Sequence, residues 1–324
     1  MSKLVSFSEY SYILDLKCDV FRSYRLFFHI PSQTYRVFIV FRNQFPKTID
    51  FFKKEVNRRL KLNYIGDSII HGTFFDDFGL PIIITDFCPG ISLSTFIEHL
   101  YYQKGPNGID NTHKHIILFG IARILYEYHK NGEFFGAFDS DLFYLNSEYE
   151  PHLKIFYENI DNFRNCHSPY AAPEVIEFGA GTEKSDIYSF GLIVYHLIFG
   201  FDIRRPVRLR DDNPYSSLVL SCMSLSPSSR PDSSEILQIL RGQFNIDNER
   251  FQQYIHQIDS FPSCNGSVEN LKKMAKLGYE LPNVIIRAQT NDKKQPGSYS
   301  PLIYSIGAAG AVGMGIYLLK RFRR

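Results

Sequence analysis

The sequence has no tryptophan, and its first glycine is Gly66. The second absence is the more informative. Glycine lets backbone N–H groups approach a ligand that a side chain would hold away, so the early stretch "LDLKCDVFRSYRLFF" cannot form a glycine-rich cradle over phosphates. The five cysteines (Cys18, Cys88, Cys166, Cys222, Cys264) are odd in number and lack CxxC spacing, which excludes an obvious disulfide framework or zinc site and predicts a reducing compartment. The histidines show no HExxH or paired spacing, so no metal site is expected. No charge excess points to nucleic acid: the formal net charge is +2, and the basic tip KRFRR supplies more than that by itself. The opening "MSKLVSFSEYSYILDLK" has no apolar run behind a basic head, so a secretory signal is not expected.

Apolar material is plentiful, at 44% of residues, enough for a full-sized core. Two long uncharged stretches compete for a membrane. Ile187 to Phe201, "IYSFGLIVYHLIFGF", would rise roughly 22 Å as a helix, short of the ~30 Å hydrocarbon thickness, and reads as a buried core helix. Leu302 to Leu319, "LIYSIGAAGAVGMGIYLL", would rise roughly 27 Å, has Tyr304 and Tyr317 near its ends and is followed directly by the basic tail 320–324. It reads as a transmembrane helix at the C-terminus, a tail anchor that leaves the preceding chain on the cytosolic side of an intracellular membrane. Gly307, Ala311 and Gly315 recur every four residues and would allow self-association through one face.

Between Tyr10 and Phe41 the chain is rich in Tyr, Phe, Val and Ile with polar breaks, which predicts three antiparallel strands. Thr48 to Leu60 has Ile49, Phe52, Val56 and Leu60 at helical spacing. Further strands are predicted at "SIIHGTFF" and "LPIIITDF", and helices at "HIILFGIARILYEYH", around Ile187, at "SSLVLSCMSLS" and at "SSEILQILRG". The class is therefore α+β, with a sheet-rich small lobe (about 8–86) before a helical large lobe (about 87–243). Residues 244–301 are polar and weakly helical and end in a linker-like stretch.

Several motifs resemble the protein-kinase fold over roughly 8–243, nearest to its tyrosine-kinase-like group. "EKSDIYSFGLIVYHLIFG" is similar to the central helix of the kinase large lobe, "YAAPEV" carries an Ala-Pro-Glu signature at Ala172, Pro173 and Glu174, and "CMSLSPSSRPDSSEI" supplies a matching arginine, Arg230. "FFKKEV" places Glu55 where the small-lobe helix has its glutamate, and "IIITDFCPGISLSTFI" resembles the hinge. The resemblance implies that Asp186 anchors the catalytic loop and that Glu174 and Arg230 form a buried ion pair.

The residues that the family uses for phosphoryl transfer are replaced. Phe38 stands where the phosphate-contacting lysine is expected. With "FGAFDSDLFYL" aligned so that Phe143 to Leu145 form the following strand, Ala137 replaces the catalytic aspartate, Leu142 the metal-binding asparagine, and Ile155 the aspartate of Asp-Phe-Gly. A rival alignment takes Asp141 as the catalytic aspartate, Asn146 as the asparagine and Asp161 as the metal ligand. The first implies a catalytically inactive kinase-like domain, without cofactor, that scaffolds or regulates a protein partner at a membrane. The second implies a divergent Ser/Thr kinase using ATP and Mg²⁺.

Overall fold

The computed structural model describes residues 7–18, 22–42, 56, 70–76, 78–87, 91–102, 109–146, 148–153, 169–200, 209, 213–257 and 266–267. The architecture is α+β, an antiparallel sheet followed by a helical part. Strands β1 (Tyr10–Cys18), β2 (Arg22–His29) and β3 (Thr34–Phe41) form a meander, and β4 (Ile70–Phe75) and β5 (Pro81–Asp86) complete it in the order β1-β2-β3-β5-β4. Asp76 closes the β4–β5 turn, its carboxylate accepting from the N–H groups of Phe78 (3.0 Å) and Leu80 (2.7 Å).

Both faces of this sheet are packed. Leu26, Val37, Ile39, Phe41 and Ile83 lie on one face with Val56, which is helical. Phe38, Val40, Ile82 and Ile84 lie on the other, covered by Tyr10, Phe27 and Phe74. Alternate residues of a strand point to opposite faces, so Phe38 faces away from Val56.

The helical part begins with the short strand β6 (Ile91–Ser92), which pairs with β7 (Phe143–Leu145), itself paired with β8 (Pro151–Leu153). Around these lie α1 (Leu93–Tyr102), α2 (Asn111–Lys130), α3 (Pro173–Phe178), α4 (Glu183–Phe199), α5 (Pro214–Cys222), α6 (Ser233–Leu240) and α7 (Asn248–Gln257). The core joins Ile117, Ile121 and Leu125 of α2 to Ile187, Phe190 and Ile193 of α4. Each fully buried Leu, Ile or Phe contributes about 2 kcal/mol. The Ile187 stretch is thus a core helix. Gly191 allows α4 to lie close to α5, since a Cβ there would come within 2.7 Å of Cys222 Cβ.

Two features continue past residue 243. In α7, Phe251 and Tyr254 are buried in the large core. Farther on, β9 (Gly266–Ser267) pairs antiparallel with Thr34 and Tyr35 at the start of β3. Among the described residues no helix is long and apolar enough to cross a membrane, and the expected span 302–319, with Gly307, Ala311 and Gly315, lies outside them.

Candidate functional site

The loop between α2 and β7 is held from below by a buried carboxylate. Asp186, in the first turn of α4, is fully buried; its Oδ2 accepts from the Phe135 N–H (2.9 Å) and lies 3.0 Å from His129 Nε2. Burial pushes the Asp186 carboxyl above its usual range, against the pull of His129 and of the N–H groups of Phe135 and Gly136. Phe135 stacks on Tyr128 of α2 (4.6 Å between rings), which fixes the loop's entry.

Gly136 follows with φ 81°, a left-handed conformation suited to glycine. Gly181, in the turn before α4, packs against it, and a Cβ on Gly181 would collide with the Gly136 backbone. Ala137 comes next. It is 2% exposed and packs with Ala171, Ala172 and Val175, with Tyr188 at the edge of the cluster. No member of this cluster carries a charge. Tyr170 closes the same region: burial pushes its hydroxyl up to about 12, and it hydrogen-bonds His196 Nδ1 (2.7 Å) and Ser140 Oγ (3.3 Å).

Leu142 directly precedes β7 and is 1% exposed. Asp139 caps the short turn before it, accepting from the Asp141 N–H (2.8 Å), while Asp141 accepts from the Ser94 hydroxyl of α1. Asn146 lies at the far end of β7. Its Oδ1 accepts from the N–H groups of Glu148 and Glu150 (2.9 Å each), and its Nδ2 donates to Glu150 Oε2 (3.3 Å). These contacts close the β7–β8 hairpin and place Asn146 across a strand from Asp141. Ile155, Asp161 and Glu55 lie outside the described residues.

On β3, Phe38 stacks on Phe27 (4.0 Å, 28°) and meets Tyr10 edge-on. Phe38, which the resemblance sets at the lysine position, lies opposite the sheet face that Val56 covers. Val37, Ile39 and Phe41 occupy that face, and none is basic. The same face carries a cation from another strand: Arg22, opposite Phe41 in the β2–β3 register, is 1% exposed and has its guanidinium 5.9 Å from the Tyr24 ring centre.

Below α3, Glu174 and Arg230 form a two-pronged ion pair, with Nη1 to Oε1 at 2.6 Å and Nη2 to Oε2 at 2.8 Å. Arg230 also donates to the carbonyls of Ser224 (2.8 Å) and Lys184 (2.9 Å), and Ser185 Oγ donates to Glu174 (2.9 Å). Burial would raise the Glu174 carboxyl; the hydrogen bonds from Arg230, from its own backbone and from Ser185 outweigh it and hold the group below the usual carboxylate range.

No protein-family model matches the chain. Over 176 residues, 48% of the chain, it is 24% identical to a probable inactive leucine-rich repeat receptor kinase of Oryza sativa subsp. japonica, spanning 15% of that protein. Over 163 residues, 40% of the chain, it is 28% identical to an EPD1-interacting receptor-like cytoplasmic serine/threonine-protein kinase of Nicotiana benthamiana, spanning 34% of it. The chain carries a protein-kinase-like domain. A serine/threonine-protein kinase of Schizosaccharomyces pombe is 32% identical over 104 residues, 25% of the chain and 30% of its own length. The chain therefore spans about a third or less of each of these curated relatives.

Within this kinase-like domain, sequence reasoning missed Arg22, because an arginine beside a turn reads as solvated. It also missed the His129–Asp186 contact. A lone histidine near the end of a helix has no pattern that names a partner 57 residues away.

Proposed function

We propose that this kinase-like domain is a pseudokinase, related to the tyrosine-kinase-like group, that acts through binding and not through phosphoryl transfer. The observation that carries the reading is Ala137, sealed at 2% exposure among Ala171, Ala172 and Val175. A general base must reach the proton it accepts, and this position has neither a basic group nor access. Leu142 offers no ligand to a metal, and the helix-side face of β3 has no lysine. The described residues thus do not fit a magnesium nucleotide. The name of the rice relative, a probable inactive receptor kinase, agrees with the reading.

The test is phosphate incorporation into the protein and into generic acceptor proteins, with ATP and either Mg²⁺ or Mn²⁺. The expected result is no transfer above a mock preparation. Transfer that Asp141→Ala abolishes would overturn the reading in favour of the divergent Ser/Thr kinase built on Asp141, Asn146 and Asp161.

The reading extends to a membrane. A helix of about 18 uncharged residues ahead of a basic tip would anchor the domain at the cytosolic side of an intracellular membrane, where it would scaffold or regulate a protein partner. Deleting residues 301–324 is expected to move the protein from the membrane pellet to the soluble fraction. Continued pelleting would remove the anchor from the proposal.

A further inference from the structure

The helix α7 is held by more than its buried Phe251 and Tyr254. Asp247 caps it, accepting from the Arg250 N–H (3.1 Å), and donates its own N–H to Thr112 Oγ1 in the first turn of α2 (2.9 Å). Arg250 then reaches the same turn: its Nη2 lies 2.6 Å from His113 Nε2, and its Nη1 3.7 Å from Asp110 Oδ2. A guanidinium only donates, so Nε2 is the acceptor. Nδ1 therefore carries the imidazole proton and donates to Asp110 Oδ1 (2.8 Å), the N-cap of α2, which also accepts from the His113 backbone N–H. The arrangement requires a neutral imidazole. Protonation would put a second N–H against Arg250 and remove the acceptor.

We infer that His113 is a pH-sensitive latch: α7 docks through Arg250 while the imidazole is neutral and loosens when it is protonated. The charged and titratable groups facing His113 are Asp110 on its own helix, Arg250 on α7, and Glu148 and Tyr149 at the β7–β8 turn, the Tyr149 ring meeting the imidazole edge-on at 4.5 Å. Burial first, and Arg250 after it, oppose protonation, while Asp110 and Glu148 favour it; the outcome lies below the ordinary imidazole value. The sign follows. The latched state contributes fully above the released imidazole's value of about 6.5 and is lost as pH falls below it.

His115, which packs against Phe251 at 4.6 Å, is a second histidine under α7, but burial holds it down to about 4. His115 is bonded to Tyr215 and to the Leu240 carbonyl, neither of them on α7, and the His113→Gln variant, which leaves it in place, separates the two. The experiment is amide hydrogen exchange of the full chain, each pH corrected for intrinsic rate, with α7 compared to α4 as an internal reference. An imidazole of ordinary pKa is almost fully protonated at pH 5 in the released state, so protection of α7 is expected to fall about tenfold relative to α4. His113→Gln, whose amide can accept from Arg250 and donate to Asp110 without titrating, is expected to keep α7 protected at both values. Arg250→Met should lower protection already at pH 7 and flatten its pH dependence. Equal protection of wild-type α7 at pH 7 and pH 5, or an unchanged pH dependence in His113→Gln, would overturn the latch.

Discussion

Ala137→Asp is expected to destabilise the kinase-like domain by about 4 kcal/mol at neutral pH and to restore no phosphotransfer. Among the described residues, a carboxylate at this 2% exposed position would stand in a cluster of Ala171, Ala172 and Val175, none of them charged. Burial of this kind raises a carboxyl pKa by up to several units, and three units correspond to about 4 kcal/mol of penalty on the charged form. In a domain of this size that lowers the unfolding midpoint by about 10 °C. The folded pKa would lie above the unfolded value of about 3.9, so the penalty is absent below that value and grows as pH rises toward the folded one. Ala137→Asn, of nearly equal volume but without charge, separates packing from ionisation. Its penalty should be smaller and independent of pH. If Ala137→Asp instead cost less than about 1 kcal/mol, the position would be open to solvent and the sealed-site argument would fail.

The same position shows where sequence reasoning reaches and where it stops. Alanine at 137 reads as a replaced aspartate only through the resemblance, and its burial depends on Ala171, Ala172 and Val175, which pack on it from the segment that leads into α3. The strands β1 to β5 are legible because turn residues interrupt runs of aromatic and β-branched side chains. Which way β3 faces is not. "VFIV" is apolar at every position because both faces of the sheet are covered, so the two-residue alternation that would orient Phe38 vanishes. Helix α7 is hard to read for the opposite reason: "NERFQQYIHQ" is polar apart from a few residues, and only packing shows that Phe251 and Tyr254 belong to the core. The two alignments differ in which residues form the strand after the asparagine position, Leu142 in one and Asn146 in the other; β7 begins at Phe143, directly after Leu142. Asn146, at the strand's other end, is committed to the hairpin turn.

Arg230→Ala is the second large effect, with an expected loss of about 3 to 5 kcal/mol. The Arg230 side chain is fully buried, and its removal strands the Glu174 carboxylate together with the Ser224 and Lys184 carbonyls that it satisfies. The cost is the uncompensated burial of what remains, more than the attraction itself. A double variant, Glu174→Gln with Arg230→Met, is therefore expected to recover much of the loss, because neither charge is left without its partner. The pH dependence distinguishes this account from simple loss of packing. With Arg230 present the Glu174 carboxyl is held low, so the pair contributes fully above the unfolded carboxyl value of about 4.3 and is lost as pH falls through the depressed native one. In Arg230→Ala the largest counterweight to burial is gone and only the Ser185 hydroxyl and the Glu174 backbone still hold the carboxyl down, so its value rises and the variant's deficit should shrink toward acid pH. Chemical denaturation of both proteins at pH 7 and pH 4 measures the difference directly. A deficit that stays constant over that range would assign the role of Arg230 to its packing on Tyr188, 5.0 Å from guanidinium carbon to ring centre, and not to its charge.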